Sequence, residues 1–560
     1  MTKSVRGAHR IHREFNLVVR LRTLAARRHW CWAALALAMV AGRILLLPLL
    51  PLPEPSVPDE FSYLLASDTF AHGRLANPTP AYPEFFESAH VLVRPAYLSK
   101  YPPGQGFVLA LGQKLLGHPY WGVVLSTAAM IFLFCWAGDA WLSPQWTLVA
   151  GGLAWVLFFV RHYWFTSYWG GSLAACGGAL VIGGLGHVLR DRLKPARFTL
   201  AAGASILLFT RPYEGGMFCV GVLIVLAVHF LKLDSAKRAL ILPQVALPNM
   251  AVLLAAASLA GWYNFRTTGS PTDMPYFAHT RQYDESPALW ILPPYGVKTY
   301  SNANLRSTHE WELATYNREH QLPLRTELAV QFVLLLTGSV WLQFLAFGLL
   351  LLGLPWARLR GKKWLVFLLC TGILALMPEV FTLPHYTAPF TAALLIAIVA
   401  SMRALWYRMA ASRARGLFFV SAMAVLATFL LLDYLAVLQT PRTTTRATLV
   451  RQLTAKEGRH LVLVDYSDGW EPRTTGDWSN GEWVYNGADL QSGAVLFAHL
   501  RSDEENRQLL NAYPGRTPWL LRLGPKLATT QLEPYPPTPP EAASAGQAHV
   551  LPRVSPHVSP

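Results

Sequence analysis

The chain has 560 residues, of which 53% are hydrophobic and only 14% are charged. Globular proteins carry about 25% charged residues, and the apolar residues here form runs that a water-facing surface would not tolerate, so a soluble multidomain enzyme is excluded. The formal charge of +16 comes from short basic segments between apolar runs, which is typical of membrane topology rather than of nucleic-acid binding. The sequence predicts a polytopic α-helical membrane protein.

The apolar runs define the predicted spans. With about 20 apolar residues per membrane-crossing helix, the sequence predicts about eleven transmembrane helices. They fall near residues 29–50, 119–138, 145–160, 172–189, 197–210, 216–231, 239–262, 328–353, 364–381, 386–402 and 416–438. The first is interpreted as an uncleaved signal anchor, because the Leu-Pro run after it offers no small-residue cleavage site.

Basic residues predict the orientation, since cytoplasmic loops retain Lys and Arg. A basic tail, 1–28, precedes the first span, and every short basic loop agrees with a cytoplasmic N-terminus. These loops lie at 190–197, 232–238, 358–363 and 403–415. The long segments 51–118 and 263–327 are then outer loops, and the C-terminal chain also lies outside. We expect a multi-pass protein of a bacterial inner membrane with these parts in the periplasm.

The chain divides into a transmembrane catalytic domain, 29–440, and a C-terminal appendage. Residues 441–525 predict a small α/β periplasmic domain, with strands at 461–464, 494–497 and 518–523 and a polar helix at 503–511. From 526 to 560 the chain is rich in Pro, Ala and Ser without periodicity, and we expect disorder.

Polar residues gather at the outer ends of successive spans. A charge costs about 2.5 to 3.5 kcal/mol at the bilayer centre, so charges near a membrane pair, reach the surface or serve a function. Their gathering on one face indicates a single site there. The residues are Asp59 and Glu60, Arg161 and His162, Arg211 and Glu214, Asn264 and Arg266, and His385 and Tyr386.

The acidic pair Asp59-Glu60 follows a proline-rich exit from the first span. One interpretation is a carboxylate held at the membrane surface for catalysis. The other is a helix start at which both acids complement the helix dipole. Because adjacent residues on a helix face different directions, one acid is predicted to be catalytic and the other structural.

A longer pattern extends this pair. It reads Asp59-Glu60-x-x-Tyr63-x-x-Ala66, then Gly73, Lys100-x-Pro102-Pro103 and Leu116-Gly117. Over residues 59–117 it resembles the GT-C glycosyltransferases, and it is most similar to the protein O-mannosyltransferase and aminoarabinose-transferase branch. The resemblance implies a GT-C-like fold, juxtamembrane helices in the first outer loop, and Asp59 at the reaction centre. The chain departs from that pattern at Tyr101, which separates Lys100 from the prolines. The stretches around Tyr263-Asn264-x-Arg266, Pro275-Tyr276 and His385-Tyr386 look like those of an uncharacterised bacterial subgroup.

The residue chemistry suits a sugar donor carried on a polyprenyl phosphate. Lys100, Arg211, Arg161 and His385 are predicted phosphate partners, because cations stabilise the charge that develops on the departing phosphate. Arg211 has an alternative, a pair with Glu214 one turn away. Asp59 would take the acceptor proton. The predicted substrate pocket contains Tyr63, His162, Tyr168, Glu214, Asn264, Arg266 and Tyr386.

We expect no cofactor. With four candidate cations a divalent metal is not favoured, although Asp59, Glu60 and Asp68 are the acids that would hold one. The second outer segment carries charged and aromatic residues that would cap the pocket and select the acceptor. They are His279, Arg281, Tyr283, Asp284, His309, Glu310 and Glu312.

The predicted function is an inverting glycosyltransferase that moves a sugar from a polyprenyl-monophosphate donor to a glycan, lipid or protein acceptor on the periplasmic face. Its partners are the donor, the acceptor and the lipid bilayer, without nucleic acid. The alternatives are a transporter or lipid flippase, and a ligase or polymerase of lipid-linked glycans. Alternating access requires ionisable sites near the membrane midplane, whereas the polar residues here lie at one edge, which favours the enzyme.

Overall fold

The computed structural model describes residues 27–159, 163–321, 350–381, 383–409, 444–466, 482–524, 530–536 and 549–550, with four single positions between them. The basic tail before residue 27, most of the predicted spans 328–353 and 416–438, and nearly all of the tail 526–560 lie outside the described residues. Arg161 and His162 also lie outside them.

The described chain is mainly helical. Its helices are α1 Arg28–Leu45, α2 Pro58–Ala71, α3 Pro103–Leu116, α4 Tyr120–Asp139, α5 Pro144–Phe158, α6 Tyr163–Thr166, α7 Ser172–Val188, α8 Leu193–Leu208, α9 Pro212–Leu231, α10 Ser235–Ile241, α11 Leu247–Thr268, α12 Pro275–Gln282, α13 Ala303–His320, α14 Lys362–Leu376, α15 Thr391–Arg408, α16 Thr445–Thr454 and α17 Asp503–Ala512. A π-helical turn, Leu242–Ala246, joins α10 to α11, and a 3₁₀ segment, Pro384–Phe390, leads into α15.

Four helices in the described part of the chain are long and apolar enough to cross a membrane. They are Tyr120–Asp139, Pro212–Leu231, the continuous helix Ser235–Thr268, and His385–Arg408. Ser172–Val188 is a shorter apolar helix. The predicted total of about eleven spans therefore stays a prediction.

The two ends of the bundle differ in their charges. At one end of α4 the Tyr120 hydroxyl accepts a hydrogen bond of 2.7 Å from Arg43 of α1. At the other end, Asp139 accepts one of 2.7 Å from Arg28. The 20 residues of α4 separate these contacts by about 30 Å. Four basic residues from three further segments lie at the Asp139 end, which we call the basic end. They are Arg190, Arg192, Arg360 and Arg403.

The segment after α1 folds over the opposite end. It contains α2, a short antiparallel hairpin of β1 Val91–Leu92 and β2 Leu98–Ser99, and then α3. Glycines set the close approach of α3 to α4, because a Cβ on Gly112 would lie 2.2 Å from the Gly122 nitrogen. Small residues of this kind allow helix backbones to touch in membrane proteins.

The C-terminal chain forms a five-stranded sheet. Its strands are β3 Arg459–Asp465, β4 Val495–His499, β5 Arg516–Arg522, β6 Gln531–Pro534 and β7 His549–Val550, in the order β4-β3-β5-β6-β7. Strand β3 pairs in parallel with β4 and β5, and the last two pairings are antiparallel. The predicted strands at 461–464, 494–497 and 518–523 overlap β3, β4 and β5.

This sheet shares a hydrophobic core with the first outer segment. Leu461 and Leu463 of β3 pack in one cluster with Leu65 of α2 and Phe86. The ring of Tyr485 stacks on Phe61 of α2, with ring centroids 4.4 Å apart. The C-terminal sheet therefore supports α2 directly, which fixes the helix that carries Asp59.

Candidate active site

Asp59 lies in the first turn of α2, which starts at Pro58. Proline suits this position, since its fixed φ is helical and its missing N–H needs no partner. The side chain of Asp59 is 27% exposed. Its Oδ1 accepts a hydrogen bond from the Tyr101 hydroxyl and lies 3.6 Å from Nδ1 of His90. Among the described residues, Oδ2 of Asp59 has no hydrogen-bond partner, so half of the carboxylate remains open to a ligand.

Tyr101 holds this carboxylate. Its hydroxyl also lies 3.1 Å from His90 Nδ1, and its ring stacks on Tyr63 with centroids 4.6 Å apart. Burial, and then the charge of Asp59, raise the pKa of Tyr101 well above its usual value. The hydroxyl therefore stays protonated and donates to Asp59. The residue at which the chain departs from the GT-C pattern thus contacts the predicted base.

Glu60 has a different role from its neighbour. It is buried, and its carboxylate accepts hydrogen bonds from the Ser56 nitrogen at 2.8 Å and from the Tyr168 nitrogen at 3.0 Å. Burial raises the pKa of Glu60, and these hydrogen bonds act in the opposite direction. Glu60 therefore caps the N-terminus of α2, at which Val57 is the N-cap residue. Of the two predicted acids, Asp59 faces the open site and Glu60 fixes the helix that presents it.

Lys100 is a buried cation, with 7% of its surface exposed. Its Nζ lies 5.5 Å from the ring centroids of Tyr101 and Tyr276. Among the described residues, no hydrogen bond or salt bridge engages this ammonium group, although its charge acts electrostatically on Asp284. A buried charge without a close partner is costly, so this group is suited to an anionic ligand.

Arg211 lies between α8 and α9, beside the Lys100 loop. The loop is tied there by a hydrogen bond of 2.8 Å from the Gly104 nitrogen to the Phe209 oxygen. A Cβ on Gly104 would lie 2.6 Å from that oxygen, which explains glycine at this contact. The two predicted phosphate cations, Lys100 and Arg211, therefore lie on neighbouring loops.

The surroundings of Arg211 are mixed. Its guanidinium carbon lies 4.7 Å from the ring centroid of Tyr386, and it acts electrostatically on Tyr63 and Tyr101. The predicted pair with Glu214 is present, but the N–O distance of 3.5 Å is long for a hydrogen bond. The pair with Glu214 is thus present but weak, and it leaves donors of the guanidinium available, so phosphate binding by Arg211 stays a prediction.

His385 precedes Tyr386 in the 3₁₀ segment Pro384–Phe390 and is buried. Its Nδ1 is 2.8 Å from the Tyr163 hydroxyl, and its ring centroid is 5.2 Å from that of Trp169. The residues that follow the third predicted span thus contact the 3₁₀ segment that leads into α15. The other two predicted residues of that stretch, Arg161 and His162, lie outside the described residues.

A small pocket lies beside Lys100. Apolar and aromatic side chains line most of it. The lining residues are Lys100, Pro102, Pro103, Leu208, Phe209, Ala260, Tyr263, Asn264, Met274, Pro275 and Tyr276. Asn264 is part of this wall and donates to the Pro271 oxygen at 3.1 Å. Arg266 is exposed on the last turn of α11 and does not line the pocket.

Two further residues, Tyr168 and His90, lie next to the residues described above. Tyr168 is buried behind α2, where its hydroxyl donates to the Pro53 oxygen at 2.7 Å, so it supports the site without lining it. His90 was missed by sequence reasoning, because a single histidine in a loop carries no motif. It adopts a φ of 66°, which is uncommon outside glycine, and this conformation is visible only in the folded chain.

The helical arrangement is shared with a solved membrane protein. The chain is similar to a GT-C membrane glycosyltransferase in its fold. That protein is ArnT, an aminoarabinose transferase from Cupriavidus metallidurans. Its apo-state crystal structure aligns with a TM-score of 0.50 and 14% identity, over 91% of this chain and 93% of that one. Its crystal structure bound to undecaprenyl phosphate aligns with a TM-score of 0.41 and 15% identity, over 79% and 68%.

No family model matches the chain, and no curated protein matches it. The apo-state likeness confirms the predicted GT-C-like membrane fold. At 14% identity this likeness concerns the fold alone.

Proposed function

We propose that this protein is an inverting GT-C glycosyltransferase that transfers a sugar from a polyprenyl-monophosphate donor to an acceptor on the periplasmic face of the membrane. One observation carries the proposal. A partly open carboxylate, Asp59, the buried cation Lys100 and the half-buried cation Arg211 surround the same stacked pair of rings, Tyr63 and Tyr101. A base and two phosphate partners within one site are what a direct displacement at an anomeric carbon requires.

The cations would hold the leaving group. As the bond between the anomeric carbon and the phosphate oxygen breaks, negative charge develops on the polyprenyl phosphate. Lys100, which lacks a close anionic partner among the described residues, and the fork of Arg211 would stabilise that charge. The apolar residues that line the small pocket beside Lys100 would contact the carrier next to its phosphate.

Asp59 would accept the proton. The acceptor hydroxyl attacks the anomeric carbon from the face opposite the phosphate, and its proton passes to the open Oδ2 of Asp59 as the new C–O bond forms. Tyr101 keeps the carboxylate in place through Oδ1. A single displacement inverts the anomeric configuration and needs no second carboxylate as nucleophile.

The test is release of free polyprenyl phosphate from a panel of polyprenyl-phosphate sugars, in membranes that contain the wild type or Asp59→Asn and a crude envelope fraction as acceptor source. General bases contribute about 10² to 10⁴ in rate, so we expect turnover in the variant to fall by at least about 100-fold.

Asp503→Asn is the matched control, because Asp503 also lies in the first turn of a helix but is exposed. It should turn over like the wild type. Normal turnover by Asp59→Asn would show that Asp59 only caps its helix. If the wild type consumes no donor of the panel, the transporter alternative gains instead.

A further inference from the structure

Four side chains of the second outer segment converge beside the site. His279 belongs to α12, Asp284 follows it, and His309 and Glu312 lie one turn apart on α13. Nδ1 of His309 is 2.8 Å from Glu312 Oε2 and 3.8 Å from Asp284 Oδ1. Nδ1 of His279 is 3.1 Å from the same Asp284 oxygen. One ligand atom each from Asp284, His309 and Glu312 lie within 4.8 Å of one another.

These groups are buried and incompletely satisfied. Both histidines have no exposed side-chain surface. Among the described residues, Nε2 of both histidines has no hydrogen-bond partner, and the 3.1 Å contact between His279 Nδ1 and Asp284 Oδ1 lacks hydrogen-bond geometry. Buried polar atoms are nearly always paired in folded proteins, because an unpaired one costs about 1 to 3 kcal/mol. Several such atoms that face one another indicate a missing ligand.

Packing holds the cluster in place before any ligand binds. The ring of His309 stacks on Tyr300, with centroids 5.3 Å apart, and on Tyr283, at 6.5 Å. The Tyr300 hydroxyl in turn donates to the Tyr283 oxygen at 2.8 Å. His309 and Glu312 face the same side because they are three residues apart on a helix.

We propose that Asp284, His309 and Glu312, with His279 as a fourth ligand, bind a divalent cation of the zinc type. Imidazole nitrogens with carboxylate oxygens are a usual zinc donor set. Zinc bonds of about 2.0 to 2.2 Å place tetrahedral ligands about 3.4 Å apart, so the observed separations require only small side-chain shifts. The two carboxylates neutralise the dication, which leaves the charge of Lys100 available for phosphate.

The acids that the sequence suggested for a metal do not converge in this way. Glu60 is engaged by the backbone at the start of α2. Asp68 accepts hydrogen bonds from Gln113 at 3.1 Å and from the Ala488 nitrogen at 2.7 Å. The proposed cation site lies instead on the other side of His90, whose Nε2 is 4.0 Å from Glu312 Oε1. One imidazole therefore separates a cation ligand from Asp59.

The test measures metal rather than turnover, so its outcome is independent of the proposed glycosyl transfer. The full-length protein is purified in detergent, stripped with a chelator, reloaded with Zn²⁺ alone, desalted, and assayed for zinc by mass spectrometry. We expect about one zinc per chain in the wild type. His309→Gln and Glu312→Gln should each lower zinc retention by at least about 10-fold.

Glu310→Gln is the matched control, since Glu310 lies on the same helix but is exposed. It should retain zinc like the wild type. Retention of a full equivalent by both ligand variants would overturn the proposal. If those variants do not fold, calorimetric titration of the stripped wild type with Zn²⁺ decides, and the absence of saturable binding would overturn it equally.

Discussion

Charged residues gather at both ends of the helical bundle, but the two ends treat them differently. At the basic end, Arg28 pairs with Asp139 and Arg192 is half exposed. At the other end, Lys100 is buried without a close ion pair among the described residues, and the side chain of Arg211 is only 16% exposed. Charges that are exposed or paired are typical of the loops that set the topology of a membrane protein. Charges that are buried without a close partner indicate where a ligand binds.

The largest expected difference between the two ends follows from removing a lysine at each. Lys100→Met should lower turnover of a polyprenyl-phosphate sugar by about 10² to 10³-fold, because a preorganised charge opposite the leaving phosphate is lost. Lys363→Met removes an exposed lysine at the basic end and should leave the rate unchanged. Donor-release assays on equal amounts of inserted protein measure both, and equal rates for the two variants would contradict the assignment of the site end.

The second prediction compares two carboxylates that cap helices, Glu60 and Glu505. Glu60→Ala removes the acceptor for the backbone N–H groups of Ser56 and Val57 at the start of α2 and of Tyr168 from a distant loop, so we expect about 3 kcal/mol of lost stability. Glu505 performs the same capping in α17, but its side chain is 41% exposed. Glu505→Ala should therefore cost about 1 kcal/mol. Thermal unfolding in detergent compares the two variants, and similar losses would show that burial adds nothing to the role of Glu60.

A smaller effect tests the contact between Tyr101 and Asp59. Tyr101→Phe keeps the ring stacked on Tyr63 but removes the hydroxyl that donates to the carboxylate. A hydrogen bond to a charged group contributes about 1.5 to 3 kcal/mol, so we expect kcat to fall by about 10-fold with little change in melting temperature. A variant that loses stability without losing kcat would mean that Tyr101 only packs.

The smallest expected effect belongs to the basic end itself. Arg192→Gln removes a half-exposed side chain whose nearest acid, Asp139, is 3.9 Å away. Exposed pairs at such distances contribute about 0 to 1 kcal/mol, so stability should change by no more than about 0.5 kcal/mol. Unfolding curves in detergent measure this, and a loss of several kcal/mol would remove the distinction between the two ends.

Much of the local structure was predictable. Each predicted span within the described residues overlaps a helix, because apolar runs of this length are read directly from the sequence. The start of α2 at Pro58 was also predictable, since prolines and acids at a helix start leave a local signal. A division of roles between Asp59 and Glu60 was expected, and the resemblance placed Asp59 at the reaction centre. The contacts of Tyr101 with Asp59 and of Tyr168 with Glu60 come from distant parts of the chain and left no local signal.

The sequence by itself determined the membrane class, the candidate cations at one edge and the GT-C resemblance, because hydropathy, charge and short motifs are local properties. Only the tertiary structure decided which groups meet. His90 adopts a left-handed backbone conformation, and its ring lies 3.6 Å from Asp59. His279, Asp284 and Glu312 lie close together although they belong to two helices and the loop between them. Likewise, the C-terminal sheet joins the core of α2. Such contacts arise from long-range packing, which no local pattern in the sequence records.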